Sequence, residues 1–338
     1  MTVNLRTGIE RPPDPLDYMT KITACAVAPP GTTAPIWTKF LARVTGGDRE
    51  MQSYLRRVAG YCLTGLVNEH AMFFIYGTGG NGKSVFINTL VGIWHDYATT
   101  IGSEMLMVSN SDRHPTEIAR LRGTRLAVAD EIEIGRTWAE SKIKSMTGGD
   151  RLQGRFMRQD FFEFEPQFKL VIAGNHKPSL RGVDEAIRRR LHLIPFTVTI
   201  PPEERDKTLP DMLRAEWPAI LRWAVDGCLE WQRDGLNPPA SVLGATADYL
   251  ASEDTFELWR EACTSPDVNA WESSADLWSS WKRWAEHSGE FVGTQKAFGG
   301  RLEERGFKPH RQPSTRTRGY HGARIARPDH TEDPRFGN

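Results

Sequence analysis

The residues Gly77, Thr78, Gly79, Gly80, Asn81, Gly82, Lys83 and Ser84 follow the apolar run Phe73-Phe74-Ile75-Tyr76 with the spacing G-x-x-x-x-G-K-S. Glycines at this spacing let the backbone curl so that successive N–H groups point at phosphate oxygens. A lysine after the last glycine reaches the β- and γ-phosphates of a nucleoside triphosphate, and the Ser84 hydroxyl can ligate Mg²⁺. The helix expected from Val85 to about Ile93 aims its positive end at the same phosphates. The chemistry indicated is binding of ATP with Mg²⁺ and transfer of its terminal phosphoryl group. A glycine-rich turn without function is the alternative; the preceding strand and the complete spacing argue against it.

Further groups must be positioned beside such a loop. Leu126-Ala127-Val128-Ala129 is a short apolar run ending in Asp130-Glu131, and Phe168-Lys169-Leu170-Val171-Ile172-Ala173-Gly174 ends at Asn175. Apolar strands alternating with helical stretches predict an α/β fold with a parallel sheet covered on both faces. In such sheets the chemistry sits at the carboxyl ends of the strands. Asp130 is then expected to hold the Mg²⁺ shell, and Glu131 to orient and deprotonate the attacking water. Asn175 can hydrogen-bond both that water and the γ-phosphate; a turn-forming asparagine is the alternative. Downstream, Arg188, Arg189 and Arg190 stand between apolar positions. A planar guanidinium suits charge developing on a transferring phosphoryl group, and it can come from a neighbouring subunit. A basic surface helix is the competing explanation.

The order of these motifs resembles superfamily 3 helicases, above all the helicase half of phage, plasmid and poxvirus primase–helicases. The likeness also takes in Lys142-Ile143-Lys144-Ser145-Met146-Thr147-Gly148-Gly149-Asp150, between the acidic pair and Asn175. Asn4-Leu5-Arg6-Thr7-Gly8 and Asp17-Tyr18-Met19-Thr20-Lys21 look like the segment joining primase to helicase, and residues 55–65 like the family's helical collar. The resemblance implies an AAA+-type ATPase that assembles as a ring homo-oligomer, usually a hexamer. It further implies 3′ to 5′ translocation on single-stranded or forked DNA in phage or plasmid replication. By position it gives Lys83 and Ser84 the phosphate-loop roles, Asp130 and Glu131 the metal and water roles, and Asn175 the γ-phosphate sensor. Arg189 and Arg190 match the arginine finger supplied in trans, with Arg188 leaving the choice open. Lys144 falls where another cationic contact to nucleotide is expected. The family often carries an upstream primase domain for which this chain has no room, so priming is expected from a separate primase or polymerase, or not at all.

The hairpin expected after Asp150 should project into the ring channel, with Arg155 and Arg158 near its tip amid Leu152, Phe156 and Met157. Arginine there can pair with backbone phosphate while Phe156 stacks or packs. The resulting organisation is a linker over residues 1–35, a helical collar over 36–66, an ATPase core over 67–200 and a helical lid or connector over 201–250. A winged-helix-like module over 251–330 and a tail over 331–338 complete it. In the last module Asp254 and Thr294 are plausible helix caps, Gly306 stops a helix, and the stripe Leu277, Trp278, Trp281, Trp284 reads as core rather than base-stacking surface. From Lys308 to Arg327 the cations Lys308, Arg311, Arg316, Arg318, Arg324 and Arg327 have no acidic residue among them, as in a basic β-hairpin. Lys296, Arg301, Arg316 and Arg318 are the expected DNA contacts here, against the alternative of a solvated basic tail.

The bulk numbers agree with two or three globular domains in 338 residues, with 39% hydrophobic and 25% charged content. No apolar run approaches the ~20 residues of a membrane span, and no secretory signal is evident at the N-terminus. Cys25, Cys62, Cys228 and Cys263 are too scattered for a zinc site or disulfide frame and read as reduced thiols of a cytoplasmic protein, in a bacterial host if phage- or plasmid-encoded. A formal net charge of zero puts any DNA contact in local clusters. A nucleotide or small-molecule kinase shares the phosphate loop but needs an acceptor pocket and no arginine triplet. An ATP-switched loader, or an initiator or packaging motor without unwinding, has less use for the hydrolytic base Glu131.

Overall fold

The computed structural model describes residues 1–109, 116–130, 132–133, 135–180, 182–312 and 316–326, with backbone alone at Asp130, Pro266, Val268 and Ala323. The chain divides into two units, Met1–Tyr249 and Leu250–Asn338.

Five parallel strands form the sheet of the first unit, in the order Ala98–Gly102, Leu126–Asp130, Lys169–Gly174, Met72–Tyr76, Leu191–Pro195. The inner strands Met72–Tyr76 and Lys169–Gly174 are almost wholly buried, because helices cover both faces of a parallel sheet and each residue meets a hydrophobic layer. The α/β class follows the alternation of apolar runs and helical stretches. Two strands were not among the apolar runs. Ala98–Gly102 is an edge strand with a single partner and a largely polar surface. Leu191–Pro195 follows the arginine triplet directly, where charge masks a strand signal.

Ahead of the sheet lie the helices Pro35–Val44 and Arg49–Leu63. Asp48 caps the second, its Oδ1 accepting from the Met51 N–H at 3.0 Å. The first has no local side-chain cap; instead the Glu216 carboxylate accepts from the N–H groups of Ile36 and Trp37, at 3.0 and 2.9 Å. That contact satisfies two orphan donors at a helix start and ties this helix to the one beginning at Trp217. Arg49–Leu63 packs against Trp217–Asp234 with the backbones in contact. A Cβ on Gly60 would lie 2.0 Å from the Cys228 nitrogen, and one on Gly227 would lie 2.1 Å from the Arg56 carbonyl oxygen. Backbone cannot swing aside as a flexible side chain can. We therefore expect Gly60→Ala or Gly227→Ala to cost at least about 3 kcal/mol, the upper end of ordinary overpacking. Urea denaturation checks this, and a loss below about 1 kcal/mol would mean that the two helices stand further apart.

Residues 1–35, expected as an extended linker, instead hold a defined course over the first unit. Thr2–Val3 pairs with Glu10–Arg11. The buried Arg222 donates to the Ala28 carbonyl at 2.7 Å and forms an ion pair with Glu10. The Ala24 and Ala28 N–H groups donate to Ile93 and Pro218 carbonyls, both at 3.0 Å. The segment lacks periodicity because its anchors are backbone bonds and scattered polar side chains, among them Arg222, Asp96, Tyr97 and Gln232, not an amphipathic face.

The second unit runs helix Thr255–Cys263, strand Thr264–Ser273, helices Ser274–Ser288 and Gln295–Glu304, then strands Lys308–Arg311 and Arg318–Ile325. Its antiparallel sheet has the last strand in the middle. Asp254, Ser273 and Thr294 cap the three helices. Trp259, Leu277, Trp281 and Phe298 are buried in its core. The first strand is the addition to the expected three helices and hairpin. Pro266 and Asp267 read as turn residues, and the ladder accommodates them with a register shift between Asp267 and Trp271.

Candidate active site

Register aligns the carboxyl ends of three strands. Tyr76 pairs with Gly174 on one side and with Pro195 on the other, so Gly77, Asn175 and Phe196 emerge level with one another. The loop from Gly77 to Gly82 then turns into the helix Lys83–Trp94. Gly79, Gly80 and Gly82 have φ of 101°, 62° and 83°, left-handed backbone that glycine adopts without steric cost. Gly77 is required for space: a Cβ there would lie 2.0 Å from Asn81 Nδ2 and 2.1 Å from the Phe196 carbonyl oxygen.

The buried Lys83 ammonium is the hub. It donates to the Gly77 carbonyl at 2.8 Å, to Asn81 Oδ1 at 3.0 Å and to Asn175 Oδ1 at 2.9 Å. Burial lowers its pKa, and the three oxygens compensate the lost hydration. A polyphosphate supplies stronger acceptors than these neutral oxygens, so the arrangement fits a ligand that draws the ammonium inward. Ser84 is exposed on the first helical turn, where its hydroxyl can reach a cation held by such a ligand. Asn81, expected only as a loop position, bridges two elements. Its Oδ1 accepts from Lys83 while its Nδ2 donates to the Phe196 carbonyl at 2.7 Å.

Asp130 ends its strand one residue beyond the Ala129–Ile172 pair, two strands from the loop. The Asp130 side chain and all of Glu131 lie outside the described residues. Among the described residues no group of three or more histidine, cysteine or carboxylate side chains could hold a metal ion.

The three arginines differ in surroundings. Asp184 caps the helix Glu185–Arg188; Arg188 and Arg189 are exposed and Arg190 is buried. Arg190 Nε donates to Thr147 Oγ1 at 3.1 Å and Nη1 to the Ala186 carbonyl at 2.8 Å, while its own carbonyl accepts from Met72. Nε and Nη1 of its guanidinium are thus engaged inside the protomer. Arg189 keeps the required exposure. Lys144 also has an internal partner: it forms an ion pair with Asp184, at the start of the arginine helix. That pair ties Lys144 to the cap of the arginine helix.

His192, in the strand after the arginines, has Nδ1 2.8 Å from the Tyr54 hydroxyl. Burial pushes its pKa down from 6.5 to about 4 and raises that of Tyr54, so the neutral ring accepts from the phenol. The unfolded chain binds a proton near pH 6.5 that the folded chain refuses until about pH 4. Stability from this group is complete above pH 6.5 and falls as pH drops through that window, by on the order of 3 kcal/mol. His192→Gln should flatten this part of the acid limb in urea titrations between pH 7 and 4; an unchanged slope refutes the assignment.

The strands Leu152–Gly154 and Phe162–Phe164 form an antiparallel hairpin. The turn end of its first strand rests on the helix Thr116–Ala119, where Gly154 leaves no room for a Cβ against Ala119 and Thr116 Oγ1 donates to the Arg155 carbonyl at 3.0 Å. At the tip Phe156, Met157 and Phe161 are exposed. Arg155 lies over the Phe161 ring at 4.5 Å, and Arg158 is exposed with φ of 62°. In the second unit Lys296 and Arg316 are exposed. Arg318 is bound to Glu303 at 3.2 Å, and Arg301 lies 6.0 Å over the Trp281 ring. Arg327 lies outside the described residues.

Among the described residues no helix is long and apolar enough to cross a membrane. Residues 75–190, from the phosphate-loop strand through the arginines, match the model of a family of unknown function (DUF5906). The chain is 27% identical over 269 residues to "Putative helicase 022R" of Frog virus 3 (isolate Goorha), aligning 72% of this chain with 27% of that protein. It is 29% identical over 151 residues to "Putative helicase L207/L206" of Acanthamoeba polyphaga mimivirus, 44% of this chain and 16% of that one. The chain therefore spans about a quarter or less of the length of these relatives. The apo structure of the NrS-1 C-terminal region has the same fold, with a TM-score of 0.53 at 11% identity over 88% of this chain and 78% of that one. The chain is thus helicase-like in sequence and shares its α/β architecture with the NrS-1 C-terminal region.

Proposed function

We propose that the chain is the ATPase motor of a superfamily 3-type DNA helicase with an AAA+-like core. It hydrolyses ATP at the boundary between two protomers of a ring, and uses the cycle to move 3′ to 5′ along single-stranded DNA. The observation that carries this reading is Lys83 joined to Gly77, Asn81 and Asn175 at the ends of adjacent strands. The loop amides and Lys83 bind the β- and γ-phosphates. Asn175 is level with the loop and holds the attacking water or the γ-phosphate; Glu131 takes the proton from that water. Ser84 and Asp130 would hold Mg²⁺, which would neutralise phosphate charge when bound. The exposed Arg189 stabilises charge developing on the phosphoryl group bound by the adjacent protomer. The tip of the hairpin, with Arg155, Arg158 and Phe156, contacts the DNA strand, and the second unit adds contacts through Lys296 and Arg316.

The relatives' names support the helicase reading, and the matched residues 75–190 contain every proposed hydrolytic group. A forked-duplex assay tests it. ATP-dependent strand separation is expected, with ATP hydrolysis falling at least about a hundredfold in Lys83→Ala, as when one charge-stabilising donor is lost. Undiminished hydrolysis in that variant removes the site; hydrolysis without strand separation leaves an ATPase that is not a helicase.

A further inference from the structure

The sheet order gives the candidate nucleotide site two distinct ends. On one side of the phosphate-loop strand lie Lys169–Gly174, with Asn175 beyond it, and then Leu126–Asp130. Those residues belong with the reacting γ-phosphate. On the other side Leu191–Pro195 continues into residues 196–205, which are stitched across the loop. The Phe196 carbonyl accepts from Asn81, and the Ile200 N–H donates to the Gly80 carbonyl at 2.8 Å. Arg205 Nε in turn donates to the Ile200 carbonyl at 2.9 Å. This lays the guanidinium against the loop: a Cβ on Gly80 would meet Arg205 Nη2 at 2.3 Å and Cζ at 2.9 Å.

Neighbouring acids do not neutralise this cation. Glu204 is paired with Arg43 at 2.6 Å, and Asp206 accepts from Thr208. Among the described residues no carboxylate lies within ion-pair distance of Arg205, although the side chain is exposed and sits on a phosphate-binding motif. Nearby, a Cβ on Gly82 would lie 2.5 Å from Val44 Cγ1 and 3.0 Å from Phe40 Cε2, so the end of the loop packs on the buried core there.

We propose that Arg205 is a nucleotide-binding residue acting within its own protomer, gripping the α-phosphate and ribose of ATP and ADP alike. The inference rests on the ATP reading above and adds the direction in which the nucleotide lies: γ-phosphate towards Asn175, nucleoside towards Arg205. A guanidinium at the α-phosphate contributes to ground-state and transition-state binding equally, so it acts on affinity more than on turnover.

Calorimetric titration of the full chain with ADP and with a non-hydrolysable ATP analogue tests this. Arg205→Ala should weaken both by about tenfold, the scale of one lost charge-assisted contact. KM for ATP should rise by more than kcat falls, and Arg205→Lys should recover part of the affinity. Arg205→Gln, which keeps the side chain's length, guards against a folding defect in the alanine variant. Unchanged ADP affinity in both the Ala and Gln variants, with binding lost in Lys83→Ala, overturns the role of Arg205 and leaves the ATP site standing. Loss confined to the ATP analogue overturns the proposed direction, because it places the cation at the γ-phosphate. If Lys83→Ala also binds and hydrolyses normally, the ATP reading itself falls.

Discussion

Lys83→Ala protein and Arg189→Ala protein, each nearly inactive alone, should regain ATP hydrolysis when mixed. Lys83 sits inside the loop, held by three oxygens of its own protomer, and a defect there stays with the cradle. Arg189 is exposed on the segment after Asp184, and in the proposed ring it acts on the phosphate bound by the adjacent subunit. A mixed ring therefore contains some interfaces with an intact cradle from one variant and an intact arginine from the other. Random mixing in a closed head-to-tail ring makes about one interface in four competent. Loss of an arginine finger lowers kcat by about 10³-fold or more, so a return to about a quarter of the original rate is far above background. Arg190→Ala serves as the contrast. Its guanidinium is bound to Thr147 and Ala186 inside the protomer, so its removal leaves buried groups without partners and lowers the melting temperature. Two results sink the shared-site reading: no recovery on mixing, or full activity from a chain that stays monomeric with ATP and DNA present.

Much of this site was legible because the phosphate loop is a local device. Eight consecutive residues fix their own geometry, and the glycine angles follow from the types of Gly79, Gly80 and Gly82. Asn175 was found because parallel strands end level with one another and polar residues at those ends stand out. The arginines were not separable by sequence. Which of three adjacent guanidinium groups turns inward depends on Thr147, forty-three residues upstream. Arg205 was missed for a related reason: its position follows from the Ile200–Gly80 backbone bond and the Asn81 side-chain bond to Phe196 across the loop, and no spacing rule announces them. Residues 1–35 show no periodicity because their anchors are carbonyls and scattered polar side chains of distant residues. The strand Thr264–Ser273 was hidden by Pro266 and Asp267, whose turn preference the ladder absorbs through a shift in register.

Charge reversal at the hairpin tip, Arg155→Glu with Arg158→Glu, should abolish strand separation while leaving DNA-independent ATP hydrolysis near its original rate. The tip is displaced from the phosphate loop along the chain and built on its own two strands, so the substitutions leave Lys83 and its partners untouched. Phe156, Met157 and Phe161 are exposed there at 37%, 70% and 51%. Such large apolar groups clustered on a turn are costly to leave in water unless something stacks on them. Arg155 already lies over Phe161, so a base settling on that ring would bring its phosphate towards a cation. Two phosphate contacts account for a decrease of about 1.4 in the slope of log affinity against log salt on single-stranded DNA. Phe156→Ala separates stacking from charge: it should weaken DNA binding by about 1–3 kcal/mol with the salt slope unchanged. Unimpaired unwinding by the doubly reversed variant would remove the hairpin from the DNA path. The exposed Lys296 and Arg316 of the second unit would then have to carry the strand.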